Sequence, residues 1–112
     1  MKKIRVLVLE SSLSVKEMLE KSFGDDTVEL VILNSATRLK IESESSDFDL
    51  FFLDGIATEE RGIFYAALIK AAFGEDKIFI TTNSEETSKR FTKIGFQCCG
   101  KDKITGIISS HQ

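Results

Sequence analysis

The sequence predicts an α/β fold, a three-layer sandwich in which a five-stranded parallel sheet carries helices on both faces. Three observations carry this reading. Strand-like and helix-like segments alternate five times along the chain. Strict alternation of that kind makes parallel strands joined by crossover helices. The run Leu50-Phe51-Phe52-Leu53 is apolar at every position, as suits a strand buried on both sides rather than one facing water. The apolar runs also stop abruptly at polar residues such as Glu10, Asp54 and Thr81. With right-handed crossovers throughout, the expected strand order is 2-1-3-4-5.

Each element has its own warrant. Ile4–Leu9 is β-rich and ends at Glu10. Ser14–Phe23 reads as a helix with Val15, Met18, Leu19 and Phe23 on one face, opened by the capping-box pattern Ser14-x-x-Glu17. Val28–Leu33 is the second strand, and Ala36–Glu42 a short helix. Glu42 to Asp47 is a run of acids and serines that reads as a solvated loop. Leu50–Leu53 is the third strand, closed by Asp54. Glu60–Phe73 reads as the longest helix, and Ile78–Ile80 as the fourth strand, closed by Thr81 and Thr82. Asn83-x-x-Glu86 opens a helix reaching about Ile94. Phe96–Cys99 is the fifth strand, and Asp102 to about Ser109 the last helix.

Composition narrows the function. The 112 residues are 42% hydrophobic and 29% charged, which suits one domain spanning residues 1–112. The formal net charge of −3 gains nothing from phosphate neutralisation, so direct nucleic-acid binding is not expected. No apolar run approaches the roughly 20 residues of a membrane span, and the start lacks the length of a secretory leader. A cytoplasmic location is the expectation. Cys98 and Cys99 are adjacent. Neighbouring cysteines make a strained disulfide and, without further ligands, a poor zinc site, so both read as ordinary strand residues.

In a parallel sheet every strand aims its C-terminal end at the same edge, where ligands bind. The polar residues at those ends are Glu10, Ser11 and Ser12 after strand one, Asp54 after strand three, Thr81 and Thr82 after strand four, and Lys101 after strand five. Topology thus gathers two carboxylates, hydroxyls and an ammonium around one crevice. Two carboxylates can hold Mg²⁺ together with waters. A lysine and a hydroxyl can hold phosphoryl oxygens, and an aspartate can be the nucleophile that becomes an aspartyl phosphate. The set points to phosphoryl transfer onto Asp54. Polar residues also simply end strands, and it is their complementary roles at one edge that favour chemistry.

These segments resemble the receiver domain of bacterial two-component response regulators, a flavodoxin-like fold, over essentially the whole chain. Ile4 to Ser12 is similar to the family's first strand and acidic pair, and Asp49 to Asp54 to the strand that carries its phosphoacceptor. Gly62, Ile80-Thr81-Thr82, Gly95 and Lys101 fall where the family has a glycine, a hydroxyl-ended strand, a glycine and a lysine. The resemblance implies that Asp54 accepts a phosphoryl group from a histidine kinase or phosphotransfer protein and passes a signal to a downstream protein effector. It further implies Mg²⁺ held by Glu10, Asp54 and the carbonyl of Ile56. Thr81 would contact a phosphoryl oxygen, with Thr82 a shifted alternative, and Lys101 would pair with the phosphate and Asp54. Such a domain does no chemistry on a metabolite.

The departures from the family pattern are specific. Ser11 stands where the second acid belongs, so Mg²⁺ binding is expected to be weak. Asp102 follows Lys101 where proline is common, and the chain contains no proline, so a trans bond is expected there. Thr58 also replaces a proline, and Cys98 or Cys99 the aromatic of strand five. The alternative reading is therefore a pseudo-receiver, an interaction module that phosphorylation does not switch. A third, a flavin- or phosphate-binding protein using the loop of Ser11, Ser12 and Ser14, lacks the glycines that close approach would want.

The 60–73 helix carries two apolar stripes. Ile63, Ala66, Ile69 and Phe73 form one, expected to meet the sheet. Phe64, Leu68 and Ala71 form the other, expected to be exposed and to serve a partner or a homodimer. The acids Glu59-Glu60 and Glu85-Glu86 suit helix first turns, and His111 reads as part of a polar tail.

Overall fold

The computed structural model describes residues 3–23, 27–35, 38, 47–58 and 63–112. Apart from Arg38, the expected 36–42 helix lies outside these residues, as do Gly62 and the Glu59-Glu60 pair.

Five strands form one sheet: β1 (Ile4–Leu9), β2 (Val28–Leu33), β3 (Leu50–Asp54), β4 (Ile78–Thr81) and β5 (Gln97–Cys99). Their order is β2-β1-β3-β4-β5, every pairing is parallel, and the arrangement is that of the flavodoxin-like receiver fold. Among the described residues four helices cover it: α1 (Leu13–Ser22), α2 (Ile63–Phe73), α3 (Glu85–Lys93) and α4 (Ile104–Ser110).

The alternation of side chains across each strand builds two cores. Val6, Val8, Leu50 and Phe52 point to one face, where Leu19 and Phe23 from the α1 side and Ile104 and Ile108 of α4 cover them. Leu7, Leu9, Phe51, Leu53, Ile78 and Ile80 point to the other, under Ala66 and Ile69 of α2 and Phe91 of α3. All five residues of β3 are buried, which is why its sequence is apolar without alternation until Asp54.

Helix starts differ from the sequence reading. α1 begins at Leu13 with Ser12 as its N-cap, two residues before the Ser14-x-x-Glu17 box, and no side chain caps it. Ser12 is instead engaged through its backbone, as described below. α3 is capped by Ser84, whose hydroxyl accepts from Thr87 N at 3.2 Å, rather than opened by Asn83. Asn83 has a competing partner across the sheet edge. A helical turn at Gly55–Ala57, not anticipated, follows β3 at once. A Cβ at Gly55 would come within 2.8 Å of Thr87 Cγ2, so only glycine lets this turn pack under α3.

At the far end of α3, the Lys70 ammonium donates to Gly95 O at 2.7 Å and lies over the Phe96 ring. Gly95 takes φ 94°, the left-handed conformation that ends a helix. One side chain of α2 thereby closes the carbonyl end of α3.

Candidate functional site

The C-terminal edge of the sheet gathers Glu10, Asp54, Thr81 and Lys101. Glu10 continues β1, its N–H donating to Leu33 O at 2.9 Å. Its side chain turns inward and is 1% exposed. Glu10 Oε1 accepts from Ser12 N at 3.0 Å and from Lys101 Nζ at 3.1 Å. Glu10 Oε2 is buried and has no hydrogen-bond partner among the described residues. Asp54, the last residue of β3, is 5% exposed, and its Oδ1 lies 3.0 Å from Lys101 Nζ. One ammonium therefore bridges two buried carboxylates that are 44 positions apart in sequence.

Backbone contacts fix where that ammonium starts. Thr82 N donates to Cys99 O at 3.0 Å, prolonging the β4–β5 ladder by one bond. Asn83 Oδ1 then accepts from Lys101 N at 3.1 Å. These bonds pin the ends of β4 and β5 together, and from there the Lys101 side chain reaches Asp54 at the end of β3. Asn83 is a supporting residue that the sequence reading missed, while Ser12, which that reading placed at this edge, contributes its backbone N–H. The signal for Asn83 was ambiguous, because asparagine before a helix is an ordinary capping residue.

The electrostatics follow from the count. Two carboxylates and one ammonium leave the set net negative if all are charged. Burial pulls the Lys101 pKa down, but the hydrogen bonds and charges of Asp54 and Glu10 outweigh it, and the net shift is upward from 10.5. The ammonium therefore stays protonated across the physiological range.

Thr81 stands opposite Asp54 in the β3–β4 register and is fully buried. Its hydroxyl has no hydrogen-bond partner among the described residues. Thr82 Oγ1 is already used, accepting from Ser84 N at 3.0 Å. Of the two threonines, Thr81 is the one whose hydroxyl remains open to a further oxygen. Ile56 lies in the helical turn after Asp54 with its side chain 68% exposed, and Ser11 is exposed at the rim.

The cysteines stay outside this chemistry. Both are free thiols on opposite faces of β5. Cys98 Sγ lies 3.6 Å from Ser88 O. Burial, then the neighbouring Cys98 and Asp102, push Cys99 up to about 11, which leaves little thiolate at neutral pH. No peptide bond among the described residues is cis, and Lys101–Asp102 is trans.

The donors suit a hard divalent cation: two buried carboxylates, one with an orphaned oxygen. Among the described residues no third acidic, histidine or cysteine ligand joins them. Mg²⁺ is commonly held by one or two carboxylates and waters, so the set is sufficient but sparse.

No protein-family model matches the sequence, and no curated protein matches it. Solved structures do. The signal receiver domain of an HD domain-containing protein from Pseudomonas fluorescens Pf-5 superposes with a TM-score of 0.77 at 12% identity, over 98% of this chain and 87% of that one. Chemotaxis protein CheY4 of Vibrio cholerae gives 0.72 at 13% identity, over 97% and 98%. The Mn(2+)-bound form of response regulator Rcp1 gives 0.63 at 18% identity, over 85% and 78%. No helix among the described residues is long and apolar enough to cross a membrane. At these identities the likeness speaks to architecture, and this chain has the fold of a response-regulator receiver domain.

Proposed function

We propose that the chain is a phosphoacceptor domain of a two-component pathway, with Asp54 as the acceptor. The observation that carries this reading is the Lys101 ammonium held 3.0 Å from Asp54 and 3.1 Å from Glu10 at the sheet edge. The donor is a phosphohistidine on a histidine kinase or phosphotransfer protein. Asp54 attacks phosphorus as the carboxylate, an O–P bond forms, the N–P bond breaks, and the histidine nitrogen keeps the electron pair and takes a proton. The chain's share is positioning and charge. Lys101 neutralises charge on the transferred group, and the open Thr81 hydroxyl donates to one of its oxygens. Glu10, Asp54 and the Ile56 carbonyl would hold Mg²⁺, which when bound offsets the negative charge of the phosphoryl oxygens. Rcp1, a solved structure of similar fold that holds Mn²⁺, supports a divalent site in this fold. The compact acidic chain suits a cytoplasmic protein that signals to another protein rather than to nucleic acid.

Incubation with a small acyl phosphate and Mg²⁺, followed by intact mass, tests this directly. The wild type is expected to gain one phosphoryl group and Asp54→Asn none. An unmodified wild type would instead select the pseudo-receiver reading. That second reading is favoured by Ser11, which puts an exposed hydroxyl where the family has an acid.

Residue 11 has its own test. Ser11→Asp adds a third oxygen-donor acid beside Glu10, and charge count is a main lever on hard-cation affinity. Mg²⁺ is expected to bind the variant at least about tenfold more tightly, as read by NMR titration. Equal affinities would show that residue 11 does not face the cation.

A further inference from the structure

The last helical stretch begins at Lys101. Gly100 precedes it with φ −69° and ψ 155°, extended backbone, and the turn Lys101–Lys103 leads into α4. The first N–H groups of such a turn have no partner inside it. A capping side chain at residue 100 would serve the N–H of Asp102 or Lys103 rather than that of Lys101, and glycine has no side chain to offer. The N–H of Lys101 is therefore left to water or to an acceptor from another element. Asn83, 18 positions earlier, supplies one: its Oδ1 accepts from Lys101 N at 3.1 Å.

Asn83 is itself held. Thr82 N, just before it, donates to Cys99 O at 3.0 Å. Ser84, just after it, donates its N–H to Thr82 Oγ1 at 3.0 Å and caps α3 through Thr87 N. The acceptor oxygen thus starts from a fixed backbone. The stretch it grips is not packed: no residue of Lys101–Lys103 is buried, and the next buried side chain is Ile104. Gly100, the pivot behind Lys101, adds the backbone freedom of a residue without Cβ. Asn83 therefore holds one end of a lever. The other end is the Lys101 ammonium, 3.0 Å from Asp54 Oδ1 and 3.1 Å from Glu10 Oε1.

We propose that Asn83 is a positioning residue for phosphoryl transfer, fixing the backbone of Lys101 so that its ammonium meets Asp54. The inference rests on the phosphoacceptor reading of Asp54 and adds a residue to it. Asn83 bonds the backbone of Lys101, not its ammonium, so it acts through position. Charge on the transferred group is neutralised best by a cation already in place when the group arrives. A misplacement of about 1 Å caused far from the chemistry costs up to about a hundredfold in rate. Asn83 is exposed, so in a variant water takes over the N–H of Lys101 and only the fixed origin is lost. The expected loss is therefore smaller, about tenfold.

Two measurements on the full chain test it. In isotope-labelled, unphosphorylated protein at low temperature, an ammonium held between carboxylates exchanges slowly enough to give a side-chain NMR signal, assigned by its loss in Lys101→Met. The wild type is expected to show this signal and Asn83→Ala to lose it. Asn83→Asp, which keeps an acceptor oxygen at the same reach, is expected to retain it. With acetyl phosphate and Mg²⁺, acetate leaves as the O–P bond to Asp54 forms, and intact mass follows the uptake. Asn83→Ala is expected to react about tenfold more slowly, and Asn83→Asp within about twofold of the wild type. An Asn83→Ala rate within about twofold of the wild type overturns the proposal. So does a slowed Asn83→Ala whose ammonium signal is intact, and so does an Asn83→Asp as impaired as Asn83→Ala. A wild type that takes up no phosphoryl group overturns the Asp54 reading instead. In that case loss of the signal in Asn83→Ala still shows that Asn83 places Lys101, and its retention refutes it.

Discussion

Replacing Lys101 by methionine is expected to destabilise the domain by about 3 kcal/mol as well as to abolish phosphoryl uptake. The variant keeps an unbranched side chain one atom shorter but leaves two carboxylates, 1% and 5% exposed, without the cation that bridges them. Breaking a buried ion pair by removing one partner costs roughly 3–5 kcal/mol, because the orphaned charge stays out of water. The Lys101 side chain is itself 23% exposed, so water reaches part of the cluster and the low end of that range applies. The total stability of a domain is only about 5–15 kcal/mol, so the loss is large. Its pH dependence has a sign. The folded pKa of Lys101 lies above 10.5, so its contribution is fully present below that value and is lost as pH rises through the folded pKa. Urea unfolding at neutral pH and again above pH 10.5 should show the wild type losing this increment while Lys101→Met has none to lose. A neutral-pH difference under about 1 kcal/mol would mean the cluster behaves like a surface ion pair.

Phe51→Ala is the second change with a large expected effect, about 3–5 kcal/mol. Phe51, the second residue of β3, is fully buried, its ring 5.5 Å from Phe48 and 4.8 Å from Phe73. Strands on either side hold the backbone, so the space left behind cannot collapse, and the lost transfer energy adds to the cost of the void. The denaturant midpoint should fall with little change in slope. Phe64→Ala, on the exposed face of α2, should move stability by no more than about 0.5 kcal/mol. Similar losses for the two would show that Phe64 is buried against its own chain.

The contrast between these phenylalanines shows what the sequence could and could not convey. Strands were legible because β3 and β4 are apolar runs with a polar stop, and β1 and β2 are apolar apart from Arg5 and Glu29, as a doubly covered sheet requires. The two stripes of α2 were legible from helical period alone. Phe64 and Leu68 face outward as the spacing implied, while Ile63 on the inward stripe is 41% exposed at the helix end. Cap residues were less legible. Asn83 and Ser84 are both good caps by type, and only the position of Lys101 N across the sheet decides that Ser84 caps α3 while Asn83 clips β5. At the site, the meeting of Asp54 and Lys101 followed from parallel topology. The second tie, from Lys101 to Glu10, depends on side-chain reach, which no spacing encodes. That Thr81 is the open hydroxyl and Thr82 the occupied one also depends on a single turn bond, Ser84 N to Thr82 Oγ1.

The strand order has a consequence for how the molecule is made. β1 sits between β2 and β3: once β2 has taken one edge of β1, β3 takes the other, and β4 and β5 each join the edge left by the strand before. A chain leaving the ribosome from its N-terminus can therefore grow the sheet outward on one side without displacing anything already docked. Until β5 emerges, β4 presents an unpaired edge, the kind of template to which other nascent chains can add. β5 covers it with only three residues, Gln97–Cys99, helped by the bond from Thr82 N to Cys99 O. The same closing step brings in Lys101, so the acidic pair Glu10 and Asp54 waits for its cation until β5 has been synthesised.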